Sequence, residues 1–489
     1  MPPGVWTSVP TSDPEENFIG QHRRNDSESL RRSGARWWTS KRFLLKVTVG
    51  TVCFLALLRV LTRDSGSQSH LGPVDESAVS GNKTQAQEEK SAWDSSFVLN
   101  GAPTMKFRDN LLPNKKYITT FLSAGWTNDV MTYINLIYLA ILTERIPIIA
   151  TFIPSHIGEE VPPIPFSDVF DIPRLRKELK MPIVEWNEVK ANTSQEFDEV
   201  GCWNTWEAAA PWEGKPRFSR QPEMLGLDIS YTKAPSWIKL VPQERELFLS
   251  FWALAALAFT DMMKEYAVEP AESPRFHLKL PPDDQLLCYD YLYFVSAHLP
   301  FEYDYDFSPA WRFVGQHLHW TPHVDGLADQ YVRRTLGIAD GEKTPTWIAV
   351  HLRHGDFARI CENDHKTPLS ECFAPLPVVA RRVDEVKEEL LQRKGISVEH
   401  VIMLSDETDP EWWEDVKKLG WYSVDHSETV QLYGPWYPVL IDAAIQSGGM
   451  GFVGTTGSTM SVLARRRVES WRDGATRMVR WGRPGADDH

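Results

Sequence analysis

The chain has 489 residues, 42% of them apolar and 24% charged, with a formal net charge of -14. Such a composition belongs to a globular protein, and the length favours two domains over a single core. The acidic balance excludes broad nucleic-acid binding, so positive charge for any anionic ligand must be gathered locally. Residues 1–42 are polar and turn basic near their end, at Arg31, Arg32, Arg36, Lys41 and Arg42. The apolar run from Phe43 to Leu61 approaches the ~20 residues with which a helix crosses a bilayer. Lys46 and Arg59 lie near its ends, where long stems reach the headgroups, and Trp37 and Trp38 suit the interface. The basic excess is N-terminal. The expectation is therefore a cytosolic tail (1–42), a transmembrane signal anchor (43–62) and a translocated remainder. Residues 63–110 are rich in Ser, Gln, Glu, Asp and Gly and read as a flexible stem. Asn82-Lys-Thr84 and Asn192-Thr-Ser194 are glycosylation acceptor patterns that have meaning only in a lumen; Asn25-Asp-Ser27 lies on the predicted cytosolic side.

The globular part is expected to start at residue 111. Tyr117–Leu122 reads as a strand, Ser123-Ala-Gly-Trp-Thr-Asn128 as a turn and Asp129–Thr143 as an amphipathic helix with Val130, Ile134, Ile137 and Ile141 on one stripe. Ile146–Ile153 is the next strand, and the βαβ unit implies a parallel sheet. In Phe166-Ser-Asp-Val-Phe-Asp171, Ser167 or Asp168 is positioned to cap a short helix. Residues 195–335 carry many Trp and Pro and an apolar helix near Leu249–Phe259, too short to span a bilayer. The alternation then resumes: strand Trp347–Leu352, helix Val378–Arg393 ended by Gly395, strand His400–Ser405, helix Glu411–Leu419, strand Tyr422–Val424, helix Pro438–Gln446, strand Gly451–Thr455 and helix Thr459–Val468. The predicted fold class is α/β: two Rossmann-like domains, 111–338 with insertions and 339–480, facing across a cleft, with a tail at 481–489. Of the five cysteines, Cys53 lies in the apolar segment. Cys202, Cys288, Cys361 and Cys372 contain no CxxC pair, which disfavours zinc. They allow two disulfides in an oxidising compartment, with three connectivities open and Cys361–Cys372 the closest local pair.

Three strand ends carry the chemistry. The apolar strand Trp347–Leu352 runs into Arg353-His-Gly-Asp356. A guanidinium at the C-terminal end of a parallel strand can grip a phosphate through two charge-assisted hydrogen bonds. The bland alternative is a strand-end ion pair between Arg353 and Asp356. Asp406 ends the strand at 400–405, suited to accept from a guanine or a ribose, or else to cap the following helix. Gly454-Thr-Thr-Gly-Ser-Thr-Met-Ser461 offers a tight turn, three hydroxyls (Ser458, Thr459, Ser461) and a helix N-terminus, which favours an anion. Arg465-Arg-Arg467 is a further source of charge or simply a solvated helix face. The acidic pair Asp304-Tyr-Asp306 is a loop rather than a metal site, and no HExxH or clustered His/Cys points to a metal.

Together these elements resemble the GDP-fucose protein O-fucosyltransferase family. The likeness rests on Gly125-Trp-Thr-Asn128, Phe166–Asp171, His351-Leu-Arg-His-Gly-Asp-Phe357, Leu404-Ser-Asp406 and Phe452–Ser461, in order over about residues 115–470. The resemblance implies a GT-B-like fold and an inverting fucosyltransferase that needs no metal or other cofactor. GDP-fucose would be its donor, and a protein or glycan hydroxyl its acceptor. It implies that Arg353 binds the β-phosphate and stabilises departing GDP, that His351 sits near the nucleotide and that Asp406 holds the base or ribose. Ser458 and Thr459 would hold the phosphates, Gly125 and Met460 would also lie in the donor-binding set, and Asn128 would sit by the transferred sugar as a catalytic residue beside Arg353. Met460 stands where the family usually has Phe. Ala124 stands where some relatives carry a Glu base, leaving Asp129 as the nearest carboxylate. The predicted setting is a single-pass type II membrane protein of the Golgi or ER. Two rival readings stay open: a catalytically silent glycan- or nucleotide-binding protein, and a transferase for another sugar nucleotide.

Overall fold

The computed structural model describes residues 93–488, apart from 156, 159, 244 and 340. The predicted tail, the anchor, the stem up to residue 92 and the acceptor patterns at Asn25 and Asn82 lie outside the described residues. Among the described residues, no helix is long and apolar enough to cross a membrane.

Two parallel sheets organise these residues. The first contains β1 (Tyr117–Thr120), β2 (Ile146–Ile149), β3 (Val184–Glu185), β4 (Asp198–Asn204) and β5 (Leu227–Lys233), and β7 (Leu286–Tyr289) joins it after a short β6 (Leu249–Ser250). Its order is β3-β2-β1-β7-β4-β5, while β6 pairs apart with β8 (Val295–Ser296). The second contains β9 (Trp347–Leu352), β10 (His400–Ser405), β11 (Tyr422–Ser423), β12 (Gly451–Thr455) and β13 (Ala475–Val479), in the order β11-β10-β9-β12-β13. Strand order therefore reverses between β9 and β12. In an open parallel sheet, the crevice beyond the strand ends at such a reversal is where ligands bind. The helices used below are α1 (Trp126–Thr143), α2 (Pro322–Leu336), α3 (Leu376–Lys394), α4 (Tyr437–Gly448) and α5 (Thr459–Arg472).

The core of each half follows from its strands. Ile348, Val350, Val401, Met403 and Val453 bury one sheet face against Val379, Val383, Val386 and Leu390 of α3. Gly395 ends α3 in the left-handed conformation, at φ 67°, as expected of glycine there.

Several expectations are corrected. The stem was expected to reach residue 110, but Val98, Leu99, Phe107 and Leu111 are buried in the first core. A few well-spaced apolar residues suffice to dock a polar segment, which composition alone hides. Helix α1 starts at Trp126, with Gly125 as N-cap, and the buried Asp129 in its first turn accepts from Ala124 N–H at 3.2 Å. The helix expected over 249–259 is broken into Phe251–Ala256 and Thr260–Tyr266. Neither Ser167 nor Asp168 caps the short helix Phe166–Val169; instead Asp171 caps Ile172–Leu179 by accepting from Arg174 N–H. The cysteines form Cys202–Cys288, joining neighbouring strands β4 and β7, and Cys361–Cys372.

Candidate active site

The C-terminal ends of β9 and β12 are tied together atom by atom. Arg353 N–H donates to Thr455 Oγ1 at 3.0 Å, and that hydroxyl donates to His351 C=O at 3.2 Å. Ser461 Oγ accepts from Thr455 N–H at 3.0 Å and lies 2.7 Å from His351 Nδ1. Ser458 caps α5, its side chain accepting from Ser461 N–H. The turn before it needs glycine twice. Gly457 has φ 92°, and a Cβ on Gly454 would come within 2.5 Å of the Phe452 ring and 2.8 Å of Ser461 Cβ. The ends of β9 and β12 and the start of α5 are thus held together by hydrogen bonds, with the Arg353 backbone and the capping Ser458 at the same end of the sheet.

The guanidinium of Arg353 is one-third exposed and paired twice: Nε with Asp356 at 2.7 Å and Nη1 with Asp406 at 2.9 Å. The strand-end ion pair is therefore real, but it forms at the mouth of the crevice rather than in a closed core. Asp406 is also engaged by His354 N–H at 2.8 Å. Asp406 thus holds Arg353, and it does not cap the next helix, which Asp409 caps. Gly355 lets this happen, because a Cβ there would lie 2.5 Å from Asp406 Oδ2. Burial drives the His351 imidazole down to about 4, reinforced by Arg353 and His354 and opposed by Asp406, so it is neutral at ordinary pH.

The first half supplies the opposite wall. Thr127 Oγ1 and Thr459 Oγ1 are 2.7 Å apart, so the N-termini of α1 and α5 abut. This contact brings the Gly125 loop and Asn128, in the first turn of α1, beside Ser458, Thr459 and the half-buried Met460. Thr127 and Thr455 carry no signal of their own in the sequence, since a single hydroxyl at a helix start or strand end has no spacing pattern. Arg217 was also missed. It donates from Nε to Ser123 Oγ at 3.1 Å and from Nη2 to Ser123 C=O at 3.2 Å, with its guanidinium over Trp206 and Tyr291. It thereby braces the turn that leads to Gly125. Asp129, fully buried, accepts from Ala124 N–H and holds this turn.

Arg465-Arg-Arg467 adds no charge to the crevice. Arg465 meets Asp304 and Glu469, and Arg466 pairs with Glu469 at 2.7 Å. Arg467 is buried among aromatic rings, 4.4 Å from the Trp320 centroid, and desolvation lowers its guanidinium to about 9. Among the described residues, no group of three or more His, Cys, Asp or Glu is arranged to hold a metal.

A sequence profile described as GDP-fucose protein O-fucosyltransferase matches residues 117–470. The chain belongs to this family. As an O-fucosyltransferase family member it is a glycosyltransferase of the fucosyltransferase type. Solved structures similar to this O-fucosyltransferase chain include POFUT1 in complex with GDP-fucose, at 14% identity over 76% of this chain and 98% of that one, TM-score 0.47. Fucosyltransferase NodZ from Bradyrhizobium is similar at 14% identity over 72% and 92%, TM-score 0.36. NodZ α-1,6-fucosyltransferase soaked with GDP-fucose is similar at 14% identity over 72% and 93%, TM-score 0.34. No curated protein matches the chain.

Proposed function

We propose that this chain moves fucose from GDP-fucose to a hydroxyl of a protein or glycan acceptor, inverting the anomeric centre and using no metal, within a GT-B-like arrangement of its two halves. The observation that carries the reading is the hydrogen-bonded junction of the β9 end, which bears Arg353, with the β12 end and the start of α5. When the bond from the sugar's C1 to the β-phosphate oxygen breaks, its electron pair stays on the phosphate. Fixed positive charge in place at that oxygen lowers the barrier. Arg353 exchanges a carboxylate partner for the phosphate, and Ser458 and Thr459 present the hydroxyl and N–H groups of a helix start to the diphosphate. The acceptor oxygen attacks C1 from the other face, beside Asn128, and its proton passes to solvent. No carboxylate replaces Ala124, so leaving-group stabilisation carries most of the barrier.

The same family reading, the two disulfides and the basic tail before an apolar run support a single-pass type II membrane protein with its transferase part in the Golgi or ER lumen. The test is release of GDP from GDP-fucose by the purified full chain, with and without a chelator. Equal turnover in both supports the proposal, and a strict metal requirement sinks its metal-independent form. One observation favours a second reading, nucleotide binding without transfer: Arg353 is held by two carboxylates, so the crevice starts out largely neutralised. GDP binding without any fucose release would decide for that reading. Preference for UDP over GDP in competition would point to another sugar nucleotide.

A further inference from the structure

The segment 211–220 packs beside the turn that follows β1, and two of its rings face outward. Trp212 is 54% exposed and Phe218 is 72% exposed, the highest value for any large apolar side chain among the described residues. A single exposed ring is ordinary. These two are held out by a backbone that is fixed between them. Trp206 Nε1 donates to Glu213 at 2.9 Å, and the Arg217 guanidinium lies 4.9 Å from the centroid of the same indole. Arg217 N–H donates to the buried Asp290 at 3.1 Å. Ser219 Oγ donates to Leu122 C=O at 2.6 Å, and Gln221 accepts from Leu122 N–H at 2.6 Å. Arg217 and Ser219 thus turn inward, onto the chain just beyond β1, and Phe218 between them turns out. Pro211 and Pro216 each fix a φ angle. Little freedom is left to lose when a partner covers the rings.

The location says what that partner is. Leu122 and Ser123, which this segment grips, run directly into Gly125, the N-cap of α1, and Asn128 in its first turn. The fucose-transfer reading brings the acceptor hydroxyl to that turn, and the inference rests on that reading for its place. Chemistry narrows the class. Phe218 neither donates nor accepts a hydrogen bond, and the side chains on either side of it are spent on Ser123 and Leu122. A sugar on this ring would leave its hydroxyls unmatched there, whereas an apolar side chain has none to match. We propose that Trp212 and Phe218 form a docking surface for a polypeptide acceptor, covering apolar side chains that flank the Ser or Thr to be modified.

The probe is a displayed peptide library with a central Thr between randomised flanks, presented to the full chain with GDP and no sugar donor. The native chain is expected to enrich peptides with Phe, Leu, Ile or Trp near the Thr by at least ~10-fold. Trp212→Ser combined with Phe218→Ser is expected to lose that enrichment. Phe218→Leu, which keeps an apolar side chain, is expected to retain most of it. Thermal melting and GDP calorimetry establish that each variant is folded. Enrichment shared by the native chain and the double variant overturns the proposal, as does a native chain with no apolar preference. Binding to an oligosaccharide array that the double variant loses, without peptide enrichment, makes the rings a sugar platform and overturns it too. A native dimer that the double variant dissolves, again without enrichment, assigns them to a second copy. Adding GDP-fucose to the same selection separates two failures. Apolar enrichment with no fucose on the selected Thr keeps the surface and sinks the transfer reading; fucosylated peptides with no apolar preference do the reverse.

Discussion

Replacing Arg353 by Ala removes the one guanidinium at the β9/β12 crevice named by the proposal, and its two effects are separable. Removing a preorganised charge from a developing anion typically costs about 3–4 kcal/mol, which is ~10²–10³-fold in rate. The stability effect is smaller. The Arg353 side chain is 34% exposed, and its contacts with Asp356 and Asp406 are at 2.7 and 2.9 Å. Pairs this wet contribute about 1 kcal/mol or less each. In a chain of this size, a loss of that order lowers Tm by only about 1–2 °C. Arg353→Lys keeps the charge but not the two-pronged geometry, and is expected to recover only part of the rate. The assay is GDP release from GDP-fucose by the full chain at saturating donor, alongside thermal melting of each variant. The expected pattern is a collapse of kcat in a protein that melts near the native temperature. A kcat within about threefold of native for Arg353→Ala would refute the reasoning.

Asp356→Asn relieves the guanidinium of one competing carboxylate. It is expected to tighten GDP binding about fivefold, measured by calorimetry, as ~1 kcal/mol of competition is lost. His351 stays neutral in the fold down to about 4, whereas an unfolded chain takes up the proton near 6.5. The unfolded state therefore binds more protons in that window, and stability falls as pH drops from 6.5 to about 4, by on the order of 3 kcal/mol from this group. His319, also lowered to about 4 by burial, adds to the same slope, while the raised His426 opposes it. Denaturant melts across the window are expected to show a shallower fall in His351→Gln. Arg467→Met is expected to raise stability. A guanidinium that desolvation lowers to about 9 carries a penalty of on the order of several kcal/mol, more than the ~2 kcal/mol that an aromatic cage returns. A lower Tm in this variant would show that the cage outweighs burial.

Legibility in the sequence followed burial. The strands Trp347–Leu352, His400–Ser405 and Gly451–Thr455 have the bounds read from the sequence, because they are largely buried and mostly apolar. The strands Asp198–Asn204 and Leu227–Lys233 were not read. They carry buried polar residues whose partners lie outside the strand: Asp198 pairs with Lys190 at 2.8 Å, and Asp228 accepts from Ser273 Oγ at 2.6 Å. No local pattern reports that such groups are satisfied. The strand Ala475–Val479 was missed because its middle residues, Thr476, Arg477 and Met478, are only half-buried at the sheet edge. Within the candidate site, the positions of Arg353, His351, Asp406, Ser458 and Thr459 were legible because each sits at a strand end or a helix start. The join between the halves at Thr127 and Thr459 was not, since it couples residues 332 positions apart.

The bond between Cys202 and Cys288 closes a ring around 86 positions of chain, which includes β5 and the exposed Phe218, Trp237 and Trp252. A protease that clips anywhere in that ring opens it without parting the molecule. The two fragments travel together on a non-reducing gel and separate only once a thiol is added.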